Sequence, residues 1–259
     1  AQPFELAREY WGELVGDYRH ALQVPSAAPR LLGKSESTAP PIFVETRIDA
    51  STVDALTNWC AATGATLSAA LQTIWGMVLA HETGTRDVVF GATVAGRDAP
   101  VEGIDRLVGM FINTLPVRVS FGDEHSFADI VGEVAQQFSH SIDYGFIPLA
   151  EIQALSPAGA GLLSHTVVFE NYPASGDDTE CDEWVWETVD IFDPMHFEFG
   201  LIIAPVEGEI RLRFVADGAL YDTATLQRLG RAIAKTASEM SSSSACDHAW
   251  KSESAGVNA

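Results

Sequence analysis

The sequence predicts an α/β fold with helices packed on a mixed β-sheet. Strand-like and helix-like segments alternate through the first half of the chain, while strand-like segments follow one another in the second half. Of its 259 residues, 47% are hydrophobic, enough for a large buried core. The length suits one large domain or two small ones.

The elements follow in order. Phe4, Leu6, Ala7, Tyr10, Trp11, Leu14, Val15 and Tyr18 recur at three- and four-residue spacing, which predicts an amphipathic opening helix. A Pro/Ser-rich connector from Pro25 to Pro41 leads to a strand over Ile42 to Ile48. Two helices come next, Ser51 to Ala62 stopped at Gly64 and Leu67 to His81 stopped near Gly84. Strands are expected over Asp87 to Val94 and Ile112 to Phe121. Ser126 can cap a helix whose buried face carries Phe127, Ile130, Val131, Val134 and Phe138. A short helix runs from Pro148 to about Leu155, then a strand from Ser164 to Tyr172. Strands over Trp184 to Ile191, Phe197 to Ile203 and Glu209 to Ala216 complete the sheet, the last two joined by a turn at Glu207-Gly208. Asp222 can cap a closing helix with Leu226, Leu229 and Ile233 inward. Residues 241–259, which begin with four serines, have no periodicity and read as a linker or appended tail, leaving 1–240 as the folded unit.

The net charge is −21, and it is unevenly placed. Between Arg118 and Arg211 there are 18 acidic residues and no Lys or Arg, so that stretch carries −18 of the total. Phosphate backbones and anionic lipid repel such a chain, which argues against nucleic-acid and membrane-surface roles. No apolar run approaches a membrane span, and the N-terminus has acids where a signal peptide needs a basic patch. Cys60, Cys181 and Cys246 are too few and too scattered for a disulfide framework or a metal site. The expectation is a reduced, cytoplasmic protein.

Common catalytic signatures are missing: there is no Gly-x-Ser-x-Gly elbow, phosphate loop or His-Glu-x-x-His. The acidic cluster at Asp177, Asp178, Glu180, Asp182 and Glu183 lacks the central glycine and terminal glutamate of a calcium loop, so it reads as a solvated loop. His125 with Asp129, and His140 with Asp143, have the spacing of a base and its orienting carboxylate, but each pair also fits a helix terminus, which is the preferred reading. In the strand 164–171, alternation places His165, Val167, Phe169 and Asn171 on one face and Thr166, Val168 and Glu170 on the other. Such a strand can line a substrate passage; a hydrogen-bonded core histidine at His165 is the equal alternative.

One stretch is more informative. Val108-Gly-Met-Phe-Ile-Asn-Thr-Leu-Pro-Val-Arg118 resembles the Gly-x-Phe-(Val/Ile)-Asn-Thr motif of nonribosomal peptide synthetase condensation domains. Phe90-Gly-Ala-Thr-Val-Ala-Gly-Arg97 is similar to the strand and Gly-Arg turn that precede this motif in the family. Pro148-Leu-Ala-Glu-Ile-Gln153, Val168-Phe-Glu-Asn-Tyr-Pro173, Tyr10-Trp11 and Leu220-Tyr-Asp-Thr-Ala-Thr-Leu226 match further family segments in the same order. The resemblance extends from about Phe4 to Met240 and implies a chloramphenicol-acetyltransferase-like lobe.

It implies only the second lobe of a two-lobed unit. The family motif His-His-x-x-x-Asp-Gly belongs to the first lobe, and no two histidines are adjacent in this chain. His125-Ser-Phe-Ala-Asp129 matches neither end of that motif and lies in the wrong place in the order. The family forms amide bonds between acyl and aminoacyl thioesters on the phosphopantetheine arms of carrier proteins. The resemblance therefore implies no directly bound cofactor, and as partners an N-terminal lobe and upstream and downstream peptidyl carrier proteins. It also implies no catalytic residue in this chain. Phe111, Asn113 and Thr114 are expected at or near the lobe interface, with backbone capping as the alternative for Asn113-Thr114. Arg97 is expected to hold the preceding loop through a carboxylate, and His165 to narrow the acceptor side of the tunnel. Glu170 and Asn171 are expected at the substrate tunnel or the lobe interface. A noncatalytic platform that recruits other proteins, or an epimerising or ester-forming member of the superfamily, are the other functions this resemblance allows.

Overall fold

The computed structural model describes residues 4–28, 39–97, 103–170 and 197–243. The opening helix α1 spans Phe4–Val15, strand β1 Pro41–Ile48, and helices α2 and α3 Ala50–Thr63 and Leu67–Thr83. Strands β2 (Asp87–Val94) and β3 (Asn113–Ser120) follow, then α4 (Phe127–Asp143) and α5 (Leu149–Leu155). The chain closes with β4 (Thr166–Phe169), β5 (Phe199–Val206), β6 (Glu209–Asp217) and α6 (Thr223–Ser242).

Helix starts are set by side chains that satisfy otherwise unpaired N–H groups. Asp49 accepts from the Thr52 amide at 2.9 Å, Thr66 from Ala69 at 3.1 Å and Asp222 from Thr225 at 2.7 Å. At α4, Ser126 and Asp129 cap each other's backbone reciprocally, which explains the His125/Asp129 spacing without any catalytic role. His125 itself accepts from the Gly122 amide through Nδ1 at 2.8 Å.

The six strands form one mixed sheet in the order β1-β6-β5-β4-β2-β3. β2 with β4 and β4 with β5 are parallel; the other neighbours are antiparallel. The β5–β6 hairpin turns at Glu207 and Gly208, both at positive φ (52° and 84°), the geometry a two-residue type I′ turn requires.

Alternation along each strand divides the sheet into two faces. One carries Phe90, Val117, Val167, Leu201, Leu212 and Val44, all buried in the main core with the helices. α3 lies at the centre of that layer, buried continuously from Ala69 to Ala80. A second, smaller core forms at the β2–β3 end, where Trp11, Val15 and Tyr18 pack with Val89, Leu115, Ile152 and Leu163.

Arg118 on β3 ties these parts together. Its guanidinium donates two bonds to Asp87 on β2, at 2.8 and 2.7 Å. It also donates to the Leu14 carbonyl at 2.9 Å and to Asp17 at 2.6 Å, and lies 5.5 Å from the centre of the Tyr18 ring. Asp17 is held below the ordinary carboxylate range by this bond. The Gln137 side chain of α4 pairs with both the N–H and the C=O of Arg118, at 2.9 and 2.8 Å, and so occupies the sheet edge as a neighbouring strand would.

Two expectations change. Among the described residues, the strand predicted over Ser164 to Tyr172 runs from Thr166 to Phe169, and α6 runs two residues beyond the expected boundary at 240. The strand predicted over Trp184 to Ile191, the acidic cluster, Asn171, Cys181 and most of the 241–259 tail lie outside the described residues. No helix among the described residues is long and apolar enough to cross a membrane.

Replacing Arg118 by Met should lower unfolding free energy by about 2–4 kcal/mol, because Asp87 and the Leu14 carbonyl lose a charged donor. Gln137→Ala should cost about 1 kcal/mol through the uncovered strand edge. Urea unfolding midpoints check both, and equal small losses would contradict the hub role of Arg118.

Candidate functional site

The loop between β2 and β3 is built around Gly96, Arg97 and Phe111. Gly96 has φ 66°, and a Cβ there would lie 1.8 Å from the Phe111 carbonyl oxygen, so only glycine allows the two backbones to meet. Arg97 lies 4.7 Å from the centre of the Phe111 ring and donates to the Ile104 and Leu107 carbonyls at 2.5 and 3.1 Å. Arg97 thus holds the loop through backbone carbonyls, where a carboxylate partner was expected. With Phe111 occupied by Arg97, its neighbours face outward. Val108, Met110 and Ile112 are 103%, 96% and 70% exposed, an apolar strip in which Leu107 also participates.

Asn113 begins β3 and braces backbone. Its Nδ2 donates to the Gly145 and Ile147 carbonyls at 2.7 and 3.2 Å, and its Oδ1 accepts from the Thr114 amide at 2.8 Å. Both ends of its amide are engaged, so the capping alternative describes Asn113 in this structure.

His165 sits just before β4 on the helix-covered side. It is fully buried among Trp75, Phe90 and Phe199. The Trp75 indole N–H donates to His165 Nε2 at 3.0 Å, which leaves the proton on Nδ1, 3.0 Å from Ser164 Oγ. Burial pushes the imidazole pKa down to about 3. Of the two readings of His165, the geometry matches the hydrogen-bonded core histidine; no surface of its ring is available to a substrate.

The opposite face of β4 is the open one. Register places Thr114, Thr93, Val168, Ile202, Arg213 and Glu45 in one row across all six strands. Thr114, Thr93, Val168 and Ile202 are half-buried, Arg213 and Glu45 exposed. Neither Val168 nor Ile202 belongs to either core cluster. Glu170, two residues beyond Val168 on the same face, is half-buried, with its backbone N–H bonded to the Ile203 carbonyl at 2.9 Å. The structure therefore brings Thr114 and Glu170 to one surface, sets Phe111 and Arg97 in the adjoining loop, and removes His165 to the other side. Sequence reasoning missed Thr93 and Ile202; their signal is that each is a strand residue aligned with Val168, legible only once the strand order is known.

This arrangement holds no acid–base pair and, among the described residues, no cluster of metal ligands. Cys60 is buried and its thiol pKa is raised by burial, which disfavours a nucleophile.

Comparison with known proteins gives a consistent answer. The family profile described as Condensation domain matches residues 1–249. The chain is 31% identical over 243 residues to bacitracin synthase 3 of Bacillus licheniformis, covering 92% of this chain and 4% of that protein. It is 30% identical over 234 residues to tyrocidine synthase 2 of Brevibacillus parabrevis, covering 87% and 6% respectively. The chain thus spans less than a tenth of these two curated relatives. Among solved structures, a four-domain nonribosomal peptide synthetase bound to AMP and glycine superposes with a TM-score of 0.75 at 16% identity, over 91% of this chain and 19% of the other. The X-domain from teicoplanin biosynthesis gives 0.73 at 16%, over 92% and 55%.

Replacing His165 by Phe should cost about 1–3 kcal/mol, because the Trp75 N–H loses its acceptor in a dry site. The native imidazole pKa is about 3 against 6.5 for a free histidine, so between these values the unfolded chain binds a proton that the native chain does not. This contribution to stability falls as the pH drops from 6.5 toward 3, by about 1.4 kcal/mol per unit. His165→Phe should flatten that part of the pH–stability curve, and an unchanged slope would contradict the assignment.

Proposed function

The chain belongs to the condensation-domain family, and on that premise we propose that it is the acceptor and tunnel-wall lobe of a nonribosomal peptide synthetase condensation domain, inactive until joined by an N-terminal lobe. The reaction is amide formation. An acceptor amine attacks the carbonyl of a donor thioester, a C–N bond forms, the C–S bond breaks, the amine loses a proton and the departing sulfur ends as a thiol on the donor arm. Two tethered substrates brought to one place make the step effectively unimolecular, and alignment supplies much of the acceleration. The phosphopantetheine arms belong to the carrier proteins, upstream for the donor and downstream for the acceptor.

The observation that carries this reading is the one-sided finish of the sheet. The helix-covered face is packed to completion, while the face bearing Thr114, Val168 and Glu170 adjoins the exposed strip Val108, Met110 and Ile112. In the proposed assembly the strip packs on the first lobe, and the half-buried row becomes one wall of the passage between lobes. Phe111, Arg97 and Asn113 act by shaping the crossing loop. Asn171 is assigned to the wall on the resemblance alone. Proton handling falls to the first lobe, in keeping with the absence of His-His-x-x-x-Asp-Gly from this sequence.

Purified chain alone should form no peptide bond between carrier-bound donor and acceptor, whereas the chain joined to a first lobe carrying that motif should. Turnover by the chain alone, or none by the joined lobes, would overturn the proposal. Replacing Met110 or Val108 by Ser should weaken association with the first lobe by about 1–2 kcal/mol each, read by titration of one lobe into the other.

A further inference from the structure

On the reading above, we propose that Val168 and Ile202 form an acceptor subsite selective for an uncharged, aliphatic aminoacyl side chain. The two residues are cross-strand partners at the centre of the open row, one on β4 and one on β5. Both are half-buried and belong to neither core, so their apolar surface is available to a ligand rather than spent on the fold. Adjacent strands lie about 4.8 Å apart, so the row from Thr114 to Ile202 extends roughly 14 Å.

The neighbours of this pair define its selectivity. On one side, Thr93 and Thr114 are register partners whose hydroxyls make no hydrogen bond among the described residues. They can serve the amides of a carrier arm without introducing charge. On the other side, the guanidinium of Arg213 lies 3.9 Å from Glu45, which also holds Arg211 at 3.3 Å, so these two cations share a carboxylate on β1, on the far side of β6 from Ile202. Glu170 lies on the same face, two residues beyond Val168 and just past the end of β4, and it pairs with no cation among the described residues. An acidic side chain at Val168–Ile202 would leave its carboxylate against two apolar residues, with the Glu170 carboxylate on the same face. A lysine-like side chain would also set its ammonium against two apolar residues, with Glu170 offsetting part of that cost, so discrimination is strongest against acidic acceptors. A leucine- or valine-like side chain meets matching surface. Glu170 is also placed to attract the protonated α-amine of the acceptor, which every aminoacyl substrate carries.

The test uses the chain joined to a first lobe with the His-His-x-x-x-Asp-Gly motif, one donor, and leucyl or aspartyl acceptors loaded on the same carrier protein. Wild type should favour the leucyl acceptor at least tenfold in single-turnover rate. Ile202→Lys should erase or reverse that preference. Ile202→Ala, which introduces no charge and is the milder change should the lysine variant fail to fold, should reduce leucyl use about tenfold and aspartyl use by much less, so that the preference narrows. Equal use of both acceptors by wild type, or discrimination untouched in the alanine variant, overturns the subsite while leaving the lobe's function standing. Product from neither acceptor, nor from any other loaded on that carrier, overturns the function itself and the subsite with it.

Discussion

Arg118 is where four parts of this fold are fixed against one another. A single guanidinium bridges Asp87 on the neighbouring strand and Asp17 and the Leu14 carbonyl at the end of the opening helix, while its own backbone is clamped by Gln137. Five residues upstream, Asn113 fastens the start of the same strand to the carbonyls that follow α4. β3 is therefore held at both ends to α4 and the segment after it, and the loop that enters it inherits that fixed position. The outward display of Val108, Met110 and Ile112 depends on this, because an apolar loop without such anchors would fold back onto the protein.

The second constraint is the asymmetry of the sheet. Phe90, Val167, Phe199 and Leu201 face a helix layer whose central member, α3, is buried on every side. His165 belongs to that layer, and its neutral imidazole accepts from Trp75 in a site too dry to favour a charge. The opposite face grades from hydroxyls at β3 and β2, through Val168 and Ile202, to the Arg213–Glu45 pair at β6 and β1. One face packs entirely against helices, while the other is covered by the smaller core at its β2–β3 end, around Val89, and carries the half-buried row beyond it.

Much of this was legible in the sequence. Apolar periodicity, the caps Ser126 and Asp222, which act through neighbours three residues away, and the stops at Gly64 and Gly84 located the helices, whereas the caps Asp49 and Thr66 emerged only from the structure. Alternation in β4 also separated His165 and Val167 from Val168 and Glu170. What alternation could not tell is which set faces the helices, because that depends on the order of strands far apart in the chain. For the same reason the row from Thr114 to Ile202 was invisible. The partners of Arg97 were missed because backbone carbonyls leave no mark in a sequence, and the role of Arg118 because Asp17, Asp87 and Gln137 are remote from it and from one another.

The central claim is that this chain is one lobe of a two-lobed catalyst and meets the other through its open face and the 107–112 strip. Hydroxyl-radical footprinting of side chains, with and without a first lobe, tests it most directly. The account predicts that Met110, Ile112, Val168 and Ile202 lose reactivity on addition of the first lobe, while exposed residues of α6 on the helix-covered side do not. Protection confined to the helix-covered side, or no protection at any of these four residues, would contradict it.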